Sequence, residues 1–171
     1  GTNNISLSNS GGAITTLNIS GAGTTTVWGT TATTITTLNA SAATGAVTID
    51  LSASAGANQT VTGGSGNDTL TVDLAQNITL DAGAGNDVVV LANPTAANLS
   101  STTGAADSIK GGEGTDTLSV TAAGAAALAG DTAADRAVIS GFEQLRTSSD
   151  LNGQSFSIAA LGMNYLQIDA A

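Results

Sequence analysis

The sequence predicts an all-β fold: a right-handed parallel β-solenoid with coils of about 19–21 residues. Three observations carry this. Apolar residues come in short bursts that alternate with polar ones, the period-two pattern of strands. Gly, Asn, Asp, Ser and Thr fill the gaps and favour turns. The pattern also repeats: Thr15-Thr16-Leu17-Asn18-Ile19 returns 21 residues later as Thr36-Thr37-Leu38-Asn39-Ala40. A repeat of that length fits one coil of two or three short strands, each coil pairing edge to edge with its neighbour.

Along the chain the bursts are Ile14-Leu17-Ile19, Val27-Trp28, Ile35-Leu38, Val47-Ile49-Leu51, Leu70-Val72-Leu74, Ile78-Leu80 and Val88 to Leu91. They continue as Leu118-Val120, Val138-Ile139, Phe142-Leu145, Phe156-Ile158 and Leu166-Ile168. Val27 and Val47 are 20 apart, and Leu145 and Leu166 are 21 apart. Residues 1–60 read as Thr/Ala-rich coils. Residues 61–120 read as a roll of glycine turns with a loop inserted at 92–107, a polar stretch holding the only Pro, Pro94. Residues 121–171 read as further coils of the same continuous domain. Thr121–Ala129 is Ala-rich enough for a helix, though Gly124 and Gly130 weaken it.

Composition supports a thin solenoid and excludes several functions. Ala, Val, Ile and Leu suffice for a narrow interior, and the 27 Thr suit exposed pleated faces. Only 9% of residues are charged, which argues against disorder. With no His and no Cys there is no Ser-His-Asp triad, no Cys nucleophile and no thiolate or imidazole zinc site. No nucleophile stands beside a base, so the chain is not read as an enzyme. Three basic residues against 13 acidic ones, net charge −10, exclude a nucleic-acid partner. No apolar run approaches about 18 residues, so no membrane span is expected. Gly1 to Ser10 has neither the basic nor the apolar region of a signal peptide, and we read the chain as a fragment of a longer protein.

The chemistry lies in three turns. Gly63-Gly64-Ser65-Gly66-Asn67-Asp68-Thr69-Leu70-Thr71 matches the nonapeptide G-G-x-G-x-D-x-U-x at every specified position. Gly111-Gly112-Glu113-Gly114-Thr115-Asp116-Thr117-Leu118-Ser119 matches it again. Ala82-Gly83-Ala84-Gly85-Asn86-Asp87-Val88-Val89-Val90 matches everywhere except its first Gly. This pattern resembles the calcium-binding repeat of RTX proteins, and the fold that the resemblance implies is the RTX β-roll. Glycines let the backbone turn with positive φ, so that carbonyl oxygens point at one spot, and the Asp adds a carboxylate. Ca²⁺ takes roughly six to eight oxygens at about 2.4 Å, more than one turn supplies. Two turns one coil apart can supply them.

The metal-site residues are therefore Gly64, Gly66 and Asp68, Gly83, Gly85 and Asp87, and Gly112, Gly114 and Asp116. One Ca²⁺ is expected between turns 63–68 and 82–87, and a second between turns 82–87 and 111–116. Asp50, 18 residues before Asp68, is a candidate cap from the coil below, and Asp81 and Asp107 are candidate ligands or helpers. Asp131, Asp135, Arg136, Glu143 and Arg146 read as a surface charge cluster of little energetic weight.

From about Val61 to Ser148 the chain resembles the RTX region of bacterial S-layer proteins of the Caulobacter type. The similarity lies in the order of parts: two glycine–aspartate turns one coil apart, a polar loop, and the turn Lys110-Gly111-Gly112-Glu113-Gly114-Thr115-Asp116. A spacer then ends in Ser140-Gly141-Phe142-Glu143-Gln144-Leu145-Arg146. The resemblance implies a secreted structural protein of the cell surface. It would leave by type I secretion, fold outside where Ca²⁺ is plentiful, and assemble with copies of itself into a two-dimensional lattice on lipopolysaccharide. The nonapeptide is shared with large RTX adhesins and secreted RTX enzymes. A stalk or ligand-binding segment, or the non-catalytic carrier of an enzyme, is the alternative. Ala82 in place of the first Gly and the presence of only three turns make the calcium array short.

Overall fold

The computed structural model describes residues 1–7, 14–28, 35–53, 58–92, 94, 107–130, 132–148, 151 and 153–169. Most of the loop expected at 92–107 lies outside these residues, as does Asp131.

Among the described residues the strands are β1 (Thr2–Ser6), β2 (Thr16–Gly21), β3 (Thr24–Trp28), β4 (Thr37–Ala43), β5 (Val47–Asp50), β6 (Gln59–Thr62) and β7 (Thr69–Asp73). They continue as β8 (Ile78–Asp81), β9 (Val88–Ala92), β10 (Ser108–Lys110), β11 (Thr117–Val120), β12 (Ile139–Ser140), β13 (Gln144–Thr147) and β14 (Tyr165–Ile168). Helices α1 (Ala122–Gly130) and α2 (Ala133–Arg136) follow β11.

From β1 to β13, successive strands alternate between two parallel sheets. One runs β1-β3-β5-β7-β9-β11-β13-β14, and the other β12-β10-β8-β6-β4-β2. Each coil is thus two strands and two turns, and the chain is the parallel β-solenoid that its periodicity predicts. The coil step is 21 residues from Val47 to Asp68 and 19 from Asp68 to Asp87. It lengthens to 29 from Asp87 to Asp116 and 27 from Asp116 to Glu143. The added residues sit between β9 and β10, then in α1 and α2, on one flank only.

The interior is built from register. Val27, Ile49, Leu70, Val89, Leu118 and Leu145 form one column across the larger sheet. Leu38, Val61, Leu80 and Ile109 form the facing column of the smaller one. All ten are buried. A one-residue slip would turn a whole strand inside out, so alternation in the sequence fixes the pairing.

The helix expected near Thr121–Ala129 is α1. Thr121 Oγ1 accepts the Gly124 N–H at 3.1 Å, which caps its first turn. Gly124 is there for packing, because a Cβ at that position would overlap Pro94 Cγ. One burst behaves differently from a strand. Beyond Phe156, residues Ile158–Leu161 form a 3₁₀ turn that ends on Gly162 in the left-handed conformation (φ 74°). The Gly162 N–H bonds back to Ala159 O, so the chain curls there. It falls where a strand of the smaller sheet would stand, and β14 pairs with β13 directly.

Candidate metal centre

On one flank the smaller sheet hands the chain to the larger sheet through short turns. The last four lie between β6 and β7, β8 and β9, β10 and β11, and β12 and β13. They contain Asp68, Asp87, Asp116 and Glu143. Parallel pairing on both sides places them in one column, in chain order.

The carboxylates of that column form a chain of hydrogen bonds reaching back one coil each time. Val47 N–H donates to Asp68 Oδ1 at 2.7 Å, and Asp68 N–H to Asp87 Oδ1 at 2.7 Å. Asp87 N–H donates to Asp116 Oδ1 at 2.8 Å, and Asp116 N–H to Glu143 Oε2 at 2.8 Å. Asp68 Oδ2 takes a second bond, from Gly64 N–H at 2.8 Å within its own turn. A parallel row of amides runs beside it: Asn86 N–H donates to Asn67 Oδ1, and Thr115 N–H to Asn86 Oδ1, both at 2.9 Å.

The glycines allow the turns to stack. In the second and third turns Gly83, Gly85, Gly112 and Gly114 have φ of 105°, 126°, 113° and 136°. Cβ atoms on Gly83 and Gly112 would overlap the carbonyl oxygens of Gly64 and Gly83, one coil back. The first turn corrects the expectation of positive φ throughout: Gly64 and Gly66 lie outside that region. Glycine is needed there because the coil below comes so close. A Cβ on Gly64 would overlap Ala43 O, and one on Gly66 would stand 2.5 Å from Gly45 C.

Asp68 and Asp87 are 1% exposed and Asp116 is fully buried. Burial pushes the carboxyl groups of Asp68 and Asp116 above the usual range, against the pull of the N–H donors they accept. Asp87 is pushed up to about 7, first by burial and further by the charges of Asp68 and Asp116, while the Asp68 N–H opposes the shift. Two carboxylate oxygens, Asp87 Oδ2 and Asp116 Oδ2, are buried with no hydrogen-bond partner. Orphaned anionic oxygens are costly in a low-dielectric interior, and a cation removes that cost. Among the described residues no three His, Cys, Asp or Glu side chains gather. A site here therefore consists of at most two carboxylates with backbone carbonyls, an all-oxygen set of the kind that suits a hard cation.

The other acidic candidates stand elsewhere. Asp50 lies on the far flank and turns on itself, its Oδ1 accepting Ser52 N–H at 2.9 Å and Ser52 Oγ–H at 2.6 Å. It does not cap the first turn, because Asp68 itself reaches down to Val47. Asp107 is also on the far flank, nearly buried, where its Oδ1 takes the Ile78 N–H at 2.7 Å. Asp81 ends β8, exposed, opposite Lys110. Arg146, half-buried, lies 3.6 Å from the exposed Asp169. Glu143, read as surface charge, instead ends the carboxylate column. Its one sequence signal is the Gly141 two residues earlier, which gives that short turn its left-handed bend (φ 70°).

A family model for the RTX calcium-binding nonapeptide repeat (4 copies) matches residues 51–74, 79–92 and 97–121, the stretches that hold all three glycine turns. No curated protein and no solved structure matches the chain. RTX nonapeptide repeats bind calcium, and the stacked turns with their orphaned oxygens offer the ligand chemistry that calcium requires. The chain carries RTX calcium-binding nonapeptide repeats, stacked along one flank of a parallel β-solenoid that has the form of an RTX β-roll.

Proposed function

We propose that this solenoid is a structural segment of a secreted bacterial surface-layer protein, in which Ca²⁺ held between stacked turns drives folding and self-assembly. The ligands in this reading are Asp68, Asp87 and Asp116, with backbone oxygens of the turns at Gly64, Gly66, Gly83, Gly85, Gly112 and Gly114. One ion lies between turns 63–68 and 82–87, and one between turns 82–87 and 111–116. The observation that carries it is the pair of buried, unpartnered oxygens on Asp87 and Asp116 within a column of like charge. Without cations these carboxylates repel one another, and ion binding becomes folding free energy.

RTX repeat proteins are typically secreted, and no helix among the described residues is long and apolar enough to cross a membrane. The surface-layer reading rests on the order of turns, loop and Gly141-Phe142-Glu143 block. In it the chain is a scaffold and not a catalyst, its partners are copies of the same protein, and lipopolysaccharide is contacted through other parts of the molecule.

The test is a Ca²⁺ titration of EDTA-treated protein, following circular dichroism and light scattering together, beside the variant Asp68→Ala/Asp87→Ala/Asp116→Ala. A rise of both β signal and particle size, absent in the variant, is the expected result. A rise of β signal alone would move the assignment to an adhesin stalk or the carrier region of a secreted enzyme. A metal-free chain already folded and indifferent to calcium would overturn the calcium role itself.

A further inference from the structure

The carboxylate column does not end with the nonapeptide motif. Glu143 Oε2 accepts the Asp116 N–H at 2.8 Å, as Asp116 accepts from Asp87 and Asp87 from Asp68. Glu143 thus occupies, one coil on, the place that a motif aspartate would take. The turn carrying it, Gly141-Phe142-Glu143, keeps one glycine, Gly141, and lacks the remaining glycines of the motif.

The gap between this turn and turn 111–116 shares two features with the gap between turns 63–68 and 82–87. A Cβ on Gly111 would overlap the Gly141 carbonyl oxygen and stand 2.8 Å from Asp116 Oδ2. A Cβ on Gly63 would overlap the Ala82 carbonyl oxygen and stand 2.9 Å from Asp68 Oδ2. In both places a carbonyl from the next coil and a carboxylate oxygen approach the same bare glycine. Asp68 Oδ2 is satisfied by Gly64 N–H, whereas Asp116 Oδ2 is fully buried and has no partner. An anionic oxygen left without a donor, beside a second carboxylate and a carbonyl, is cation-ligand chemistry.

We infer that a third divalent-cation site lies between turns 111–116 and 141–143, with Asp116 and Glu143 as its carboxylate ligands and the Gly141 carbonyl as a third oxygen. The site closes the calcium column at its C-terminal end. It also holds the first turn of the coil that follows α1 and α2, the longest excursion on the opposite flank among the described residues. The inference rests on the calcium reading of the motif gaps, since Asp116 borders both the second of them and the new site.

The experiment counts Ca²⁺ bound per chain by equilibrium dialysis, for the full chain and for Glu143→Gln. Glutamine keeps an oxygen to accept the Asp116 N–H and removes only the charge, so a purely capping role leaves the count unchanged. The expected result is a count lower by one ion in Glu143→Gln, with the β signal at saturating Ca²⁺ retained. An equal, non-zero count in both proteins overturns the third site and leaves the motif sites standing. A count of zero in the unaltered chain overturns both. Should Glu143→Gln fail to fold, the unaltered chain decides: more than two ions supports the third site, and two or fewer overturns it.

Discussion

Asp87 holds the backbone of Asp68, one coil below, through a 2.7 Å hydrogen bond from the Asp68 N–H to Asp87 Oδ1. Its other carboxylate oxygen is buried and unpartnered. One side chain therefore ties two coils together through one oxygen and leaves the other without a hydrogen-bond partner.

Replacing Asp87 by Asn separates those roles. The amide oxygen still accepts the Asp68 N–H, while the charge bordering both motif gaps is lost. Calcium affinity is expected to fall by roughly tenfold or more, because ligand charge count sets affinity for this ion. Calorimetric titration measures it. Unchanged affinity would remove Asp87 from the ligand set.

The metal-free chain should lose stability as pH rises. Burial, with repulsion from Asp68 and Asp116, pushes the Asp87 carboxyl from 3.8 to about 7. Between those values the folded chain keeps a proton that the unfolded chain has released. The stabilisation is complete below about pH 4 and is lost as pH climbs through 7, by on the order of a few kcal/mol. Asp68, Asp107 and Asp116 shift in the same direction, each chiefly through burial. Under conditions where the chain folds in EDTA, the thermal midpoint should be higher near pH 5 than near pH 7.5. A midpoint that rises with pH contradicts this.

Two glycines that both have positive φ should respond differently to alanine. Gly112 has φ 113° and its Cβ would overlap Gly83 O, whereas Gly153 has φ 78° and open space around it. Gly153→Ala should cost about 1 kcal/mol from backbone strain alone. Gly112→Ala should cost about 3 kcal/mol or more, since the coils must also move apart. Urea unfolding in saturating Ca²⁺ compares them, and equal costs would mean that the turns are not stacked this closely.

Helix propensity says that Gly124→Ala in α1 should stabilise by up to about 1 kcal/mol. Packing says the reverse, because the added Cβ meets Pro94 Cγ. Net destabilisation is expected in chemical denaturation. A gain would show that Pro94 does not rest on the helix.

In the core, Leu70 stands between Ile49 and Val89 in its column and is fully buried. Leu70→Ala should cost about 2–5 kcal/mol. The loss should appear with and without calcium, provided that the metal-free chain is folded under the conditions used. Thermal melts in both states test it.

The sequence alone determined the coil, because strand alternation and a repeat near 20 residues leave few other ways to bury Leu38, Leu70 and Leu118. It also determined the three glycine turns, whose residue types are dictated locally by backbone geometry. It placed the helix at 122–130 within one residue at either end. Contacts between coils were decided by the tertiary structure. Glu143 lies 27 residues beyond Asp116, with two helices between them, and its role depends on which turn stacks on which. Asp50 lies 18 residues before Asp68, close to one coil, yet its strand ends on the opposite flank. The 3₁₀ turn at Ile158 came from an apolar burst that looks like any other. Local residue chemistry fixes turns and strand faces, whereas a hydrogen bond reaching across a coil depends on the lengths of both flanks, and those lengths vary here from coil to coil.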